Sequence, residues 1–132
     1  KQYQFDPIIS NQFQYYFHQL YDTLPMFDVN LELLTQNGEI AAYKQDYVQV
    51  QSVSDQKKQK VISAYTAIRT LVQNYLSFGT VITNIQLGYH GQVYNSETQY
   101  MLPSWRITVS GGGIYYVHAF NGDVEAPQNN GK

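Results

Sequence analysis

Two apolar–polar periods run along this chain, and their order predicts its fold. The first has a period of two, which marks strands with unlike faces. Tyr3 and Phe5 suggest a short extended piece, and Pro7 keeps it out of a sheet's centre. Over 12–27 the chain reads as strand, turn, strand. Phe13, Tyr15 and Phe17 alternate with Gln12, Gln14, Tyr16 and His18; Tyr21-Asp22-Thr23 turns; Leu24-Pro25-Met26-Phe27 is a short apolar piece. A helix from Asn11 to Tyr21 is the alternative, since Phe13, Phe17, Leu20 and Tyr21 also fit helical spacing, but the aromatic density favours a strand. Val29 to Thr35, Asn37-Gly38 and Glu39 to Val50 then form a hairpin with a long return strand, because Asn-Gly readily adopts the left-handed conformation of a mirror-image turn.

The second period, of 3.6 residues, predicts one long helix over 54–77, capped by Ser54 or Asp55 and ended near Gly79. Val61, Ile62, Tyr65, Ile68, Leu71, Val72, Tyr75 and Leu76 form its apolar stripe, which must lie against a sheet. Alternation resumes over 80–90, followed by a polar arm at 91–100. A second hairpin pairs a strand carrying Trp105, Ile107 and Val109 with one carrying Tyr115, Val117 and Ala119, across Gly111-Gly112-Gly113. Pro103, without an amide hydrogen, belongs at the strand's entry or on an edge. Strands, one long helix, then strands predict an α+β fold: antiparallel sheets of hairpins packed on one long central α-helix, with a loose pseudo-repeat of two sheet units. A single domain over 1–132 is expected, with halves of about 1–53 and 54–125, and 126–132 as a flexible tail.

Composition narrows the function classes. Hydrophobic residues make up 43% of the 132, enough for a core, while charged residues are only 14% and the net charge is −2. Without a basic stripe, nucleic-acid binding is not expected. The absence of cysteine removes disulfides, thiol catalysis and thiolate metal sites. The 13 tyrosines exceed what one small core takes, so some must face solvent or a partner. Tyr15, Tyr43, Tyr47, Tyr94, Tyr100 and Tyr116 are the candidate partner-interface residues.

Reactive constellations are not evident. His18, His90 and His118 are isolated, without the close pairing of a metal site; His118, among strand aromatics, reads as a hydrogen-bonded structural residue. Ser104 and Ser110 lack a nucleophile elbow. Asp22, Asp28, Glu32, Asp123 and Glu125 read as solvated turn and strand-end carboxylates, not a hydrolase pair. The triple glycine lacks the helix and lysine of a phosphate loop. Arg106, opposite Trp105 in the alternation, is expected on the sheet's wet face or paired with a neighbour such as Glu125. No catalytic, cofactor-binding or metal residue is assigned.

The strings Pro103-Ser104-Trp105-Arg106-Ile107 and Tyr115-Tyr116-Val117-His118-Ala119-Phe120-Asn121-Gly122, with Leu24-Pro25-Met26-Phe27 and Ile85-Gln86-Leu87-Gly88-Tyr89, resemble the YycI family. His118 stands where that pattern has Asn, and the glycine turn is expanded. The resemblance implies a non-enzymatic regulatory domain, extracytoplasmic, on a single-pass cell-membrane protein. Its anchor would be an N-terminal helix missing from this sequence. It further implies that the domain modulates the WalK (YycG) sensor histidine kinase, in complex with the related YycH, and so affects cell-wall homeostasis. Homo-oligomerisation is a further possibility. The alternative is a surface module binding cell-wall or peptide ligands through an aromatic strand face or a sheet edge.

Overall fold

A computed structural model of the protein describes residues 2–51, 60–93 and 99–125. The chain divides into two compact units, one of residues 1–56 and one of 57–132.

The first unit is a four-stranded antiparallel meander in chain order: β1 (Tyr3–Asp6), β2 (Gln14–Tyr21), β3 (Leu24–Gln36) and β4 (Glu39–Gln45). Its two tight reversals use left-handed backbone, with φ of 51° and 67° at Asp22 and Thr23 and of 56° and 79° at Asn37 and Gly38. Asn37-Gly38 therefore makes the mirror-image turn whose twist suits a hairpin. Leu24–Phe27 and Val29–Thr35, separate pieces in the sequence reading, are one continuous strand. The return strand stops at Gln45, short of the expected Val50. Here the Gln19 side chain replaces a strand partner: its Nε2 donates to the Val48 carbonyl at 2.9 Å, and its Oε1 accepts from the Val48 N–H at 3.0 Å. Tyr3 adds a hydrogen bond from its hydroxyl to the Asp46 carbonyl.

The second unit holds the helix α1 (Ala64–Tyr75) and a second antiparallel meander, β5 (Ile82–Val93), β6 (Gln99–Val109), β7 (Ile114–His118) and β8 (Val124–Glu125). Ala67 and Leu71 of α1 pack on Ile107 and Val117, all fully buried, with Ile62, Ile68, Trp105, Tyr115 and Val124 around them. The odd-numbered face of β6 therefore carries this unit's core, as its alternation predicts. Pro103 lies within β6 opposite Tyr89, and its carbonyl accepts from the Ala119 N–H.

The α+β expectation with one long central helix is overturned. Among the described residues the chain is predominantly strand, with one helix of 12 residues. The helical period over 54–77 predicted twice that length. Its beginning, including the expected caps Ser54 and Asp55, lies outside the described residues, but the actual cap is Ser63, whose Oγ accepts from the Thr66 N–H at 3.1 Å. The apolar Val61 and Ile62 could have continued the helix by pattern. Tertiary bonds prevent it: the Ile62 N–H donates to the Ala119 carbonyl, and the Ile62 carbonyl accepts from Trp105 Nε1 at 2.9 Å. A backbone group pledged to a neighbouring strand is lost to the helical ladder. At the other end Leu76 is already extended, and Gly79 turns the chain with φ of 90°.

Candidate interaction surfaces

Register in the first unit sorts its side chains into two unlike faces. On one, Phe5 lies opposite Phe17, which lies opposite Leu31, while Tyr15, Leu33 and Tyr43 form a parallel row. Phe5 joins the two rows, with ring centroids 6.1 Å from Tyr15 and 5.4 Å from Phe17. A β-bulge extends this face. Leu34 pairs with Ala42 but Thr35 pairs with Ile40, so Ala41 is the extra residue. The shift moves Ile40 onto the side of Tyr43, where simple alternation would have placed it opposite. The face is open: Phe5 is 42% exposed, Ile40 64% and Tyr43 69%.

The other face is polar and in part deeply buried. Asp6 of β1, His18 of β2 and Asn30 of β3 form a row in which His18 Nε2 lies 2.6 Å from Asp6 Oδ2 and Nδ1 lies 2.8 Å from Asn30 Oδ1. The Phe27 ring makes a T-shaped contact with the imidazole, and Asp6 and His18 are both buried. Both ring nitrogens are thus engaged in holding three strands in register. Ser10, the nearest hydroxyl along the chain, is turned to the backbone: its Oγ donates to the Asp6 carbonyl and accepts from the Tyr16 N–H. Beyond this row, Glu32 accepts from Gln14 Nε2 at 2.6 Å and from the Tyr16 hydroxyl at 3.2 Å. Burial, and then the adjacent carboxylate of Glu32, push the Tyr16 phenol above its ordinary pKa.

In the second unit the even-numbered face of β6 holds Ser104, Arg106 and Thr108, all buried. Arg106 is 1% exposed and so does not sit on a wet face. Its neighbour is Gln86, whose Oε1 lies 3.5 Å from an Arg106 terminal nitrogen. Periodicity marked Arg106 as opposite to Trp105, which is correct; the exposure of that opposite face is what alternation cannot supply. Glu125, suggested as its partner, bonds instead to His90 Nε2 at 3.1 Å. The His90 ring lies flat on Tyr116, with centroids 3.8 Å apart and planes within 4°. His118 ends β7 with its Nδ1 buried and without a hydrogen-bond partner, so the expected hydrogen-bonded role is not met at that nitrogen.

The candidate tyrosines are divided between the two units, Tyr15, Tyr43 and Tyr47 in the first and Tyr100 and Tyr116 in the second. Tyr15 and Tyr43 share the open face of the first unit. Tyr47 is exposed beyond β4, Tyr100 is exposed near the start of β6, and Tyr116 is half-buried under His90. Tyr94 lies outside the described residues. Sequence reasoning missed Phe5 and Ile40 as surface residues, because the first needed the β1–β2 pairing and the second the bulge. It also missed both histidine–carboxylate pairs, whose members are 12 and 35 residues apart. No local spacing could have signalled either pair. Among the described residues, no group of three His, Asp or Glu side chains is placed to hold a metal ion, and no helix is long and apolar enough to cross a membrane.

A family model described as YycI protein matches residues 1–120. No curated protein matches the chain.

Proposed function

Because the chain belongs to the YycI family, we propose that it is the extracytoplasmic part of a membrane-anchored regulator of the WalK (YycG) sensor histidine kinase. A role in regulating that two-component system follows from the family itself. The finer reading is ours: the domain acts without chemistry of its own, in complex with a YycH-like protein, and tunes the kinase that governs cell-wall homeostasis. Its membrane anchor would be a separate N-terminal helix.

The family match over 1–120 carries this reading. The open face of Phe5, Tyr15, Ile40 and Tyr43 supports it, since exposed apolar patches with tyrosine mark contact surfaces. The same face supports a second reading, a module that binds wall glycan or an extended peptide.

Co-purification separates the two. The anchored full-length protein and this fragment are each presented to YycH and to the WalK sensor region. Capture by the anchored form, with altered kinase output on its deletion, is the expected result. Capture by neither form would sink the regulatory reading. Retention of the fragment on wall glycan, abolished by Tyr15→Ser with Tyr43→Ser, would favour the second.

A further inference from the structure

We propose that the outward side of α1, with the turn that follows it, is a docking surface for an anionic lipid bilayer. The turn comes first. The Thr80 N–H donates to the Ser77 carbonyl at 3.1 Å, and Gly79 takes a φ of 90°, as the third residue of a type II turn does. Phe78 therefore sits at the tip, where it is fully exposed. Its neighbours hold it there. Leu76 before it and Ile82 after it pack against the core, and the Ser110 N–H donates to the Val81 carbonyl at 2.8 Å. A phenylalanine fixed wholly in water adds nothing to its own fold.

α1 continues the surface. Tyr65, Arg69 and Val72 follow at spacings of four and three, so they share a side, next to the buried stripe of Ala67 and Leu71. Tyr65 is 72% exposed, and Val72 and Tyr75 are each 47% exposed. Running back from the tip, the order is phenylalanine, then tyrosine and valine, then arginine, then tyrosine. An apolar tip, tyrosines whose hydroxyls can reach water, and a cation on an apolar stem suit the boundary between hydrocarbon and headgroups.

Charge identifies the occupant. Between Asp55 and Glu97 there is no carboxylate side chain, although the chain has ten. Four of its eight Lys and Arg residues lie there: Lys57, Lys58, Lys60 and Arg69. That stretch is therefore +4 in a chain whose net charge is −2. Lys60 and Arg69, the two that the structure describes, are both exposed. Apolar residues at a projecting turn, with cations along the same stretch, match a negatively charged bilayer surface. With 12 residues α1 is too short to span one, so it would lie on it. The inference rests on the reading of this domain as tethered to a membrane, since a tether would keep the surface near lipid.

Co-sedimentation of the 1–132 chain with phosphatidylglycerol vesicles tests it, with phosphatidylcholine vesicles for comparison. The chain is expected to bind the first at millimolar lipid and the second about tenfold more weakly. Phe78→Ser, at a site without packing, should leave the thermal melt unchanged and weaken binding to both by about tenfold. Arg69→Glu should weaken binding to phosphatidylglycerol by about tenfold and leave binding to phosphatidylcholine unchanged. In Phe78→Trp, the new fluorescence should be quenched by nitroxide-labelled lipid, whereas Trp105, packed against the core, should not be quenched in the wild type. A chain that stays in the supernatant with phosphatidylglycerol, binding indifferent to Phe78→Ser, or an unquenched Trp at 78 would each overturn the proposal. Absence of vesicle binding, together with loss of YycH or WalK capture in Phe78→Ser, would overturn it and give the surface to a protein instead. Capture by the wild type does not depend on these outcomes, so lipid docking can fail while the regulatory reading stands.

Discussion

The two units are built to one plan, a four-stranded antiparallel meander in chain order, yet they dispose of their apolar surface differently. In the second, α1 closes one sheet face, and Ala67, Leu71, Ile107 and Val117 are lost to solvent together. In the first there is no helix among the described residues, and the face of Phe5, Tyr15, Ile40 and Tyr43 stays open. What the first unit buries instead is partly polar, the row Asp6–His18–Asn30. The histidine pairs differ in the same sense: Asp6–His18 is sealed, whereas Glu125 in the second unit keeps a third of its side chain in water. The covered face removes its apolar side chains from water, and the open one leaves them in contact with it.

The largest expected effect is on the covered face. Leu71→Ala should destabilise the second unit by about 2–5 kcal/mol, since it opens a cavity at a fully buried site. Tyr43→Ser on the open face should change stability by less than about 0.5 kcal/mol. The fluorescence of Trp105, the chain's one tryptophan, reports the former in urea titrations, and amide exchange in β2 and β3 reports the latter. Equal losses would erase the distinction between covered and open faces.

Next in size is the buried pair. Asp6→Ala strands a buried imidazole nitrogen and should cost the first unit about 1–3 kcal/mol, read as faster amide exchange at β1 and β2. Glu125→Ala, at a partly exposed pair, should cost below about 1 kcal/mol. A larger loss from Glu125 would mean that the second unit also depends on its histidine. Ser63→Ala removes the cap of α1 and should cost about 1 kcal/mol at Trp105; a silent change would show that the bonds of Ile62, and not the cap, fix where the helix begins.

The smallest effect is alkaline. The folded state favours the neutral phenol of Tyr16, so its contribution is fully present below the unfolded value of about 10 and is lost as pH rises through the higher folded one. Stability of the first unit should therefore fall as the pH rises above about 10, and Tyr16→Phe should flatten that fall. A wild type as flat as the variant would remove Tyr16 from the account.

Much of the strand pattern was legible. Asn37-Gly38 and the triple glycine turn where their conformational freedom predicts. Tyr21-Asp22-Thr23 reads as a turn, and in the structure Asp22 and Thr23 make it, with Tyr21 ending β2. Gln14 to Phe17 lie in β2 and not in the alternative helix, with Asn11 Oδ1 accepting from the Phe13 and Gln14 N–H groups at the approach to it. The helix was read twice too long because apolar spacing over 61–76 is satisfied equally by a helix and by a short extended lead-in that packs on the same core.

What the sequence determined alone is therefore local. Alternation fixes which residues share a strand face, glycine and asparagine fix the reversals, and the strings at 103–107 and 115–122 carried the family resemblance. Tertiary structure decided which faces are covered, and so that Arg106 is buried, that Ile40 joins Tyr43 across a bulge, that Ile62 lies outside the helix and that His18 and His90 each meet a carboxylate. The physical reason is that periodicity specifies direction relative to a strand or helix axis, whereas burial and pairing depend on what a distant part of the chain brings to that side.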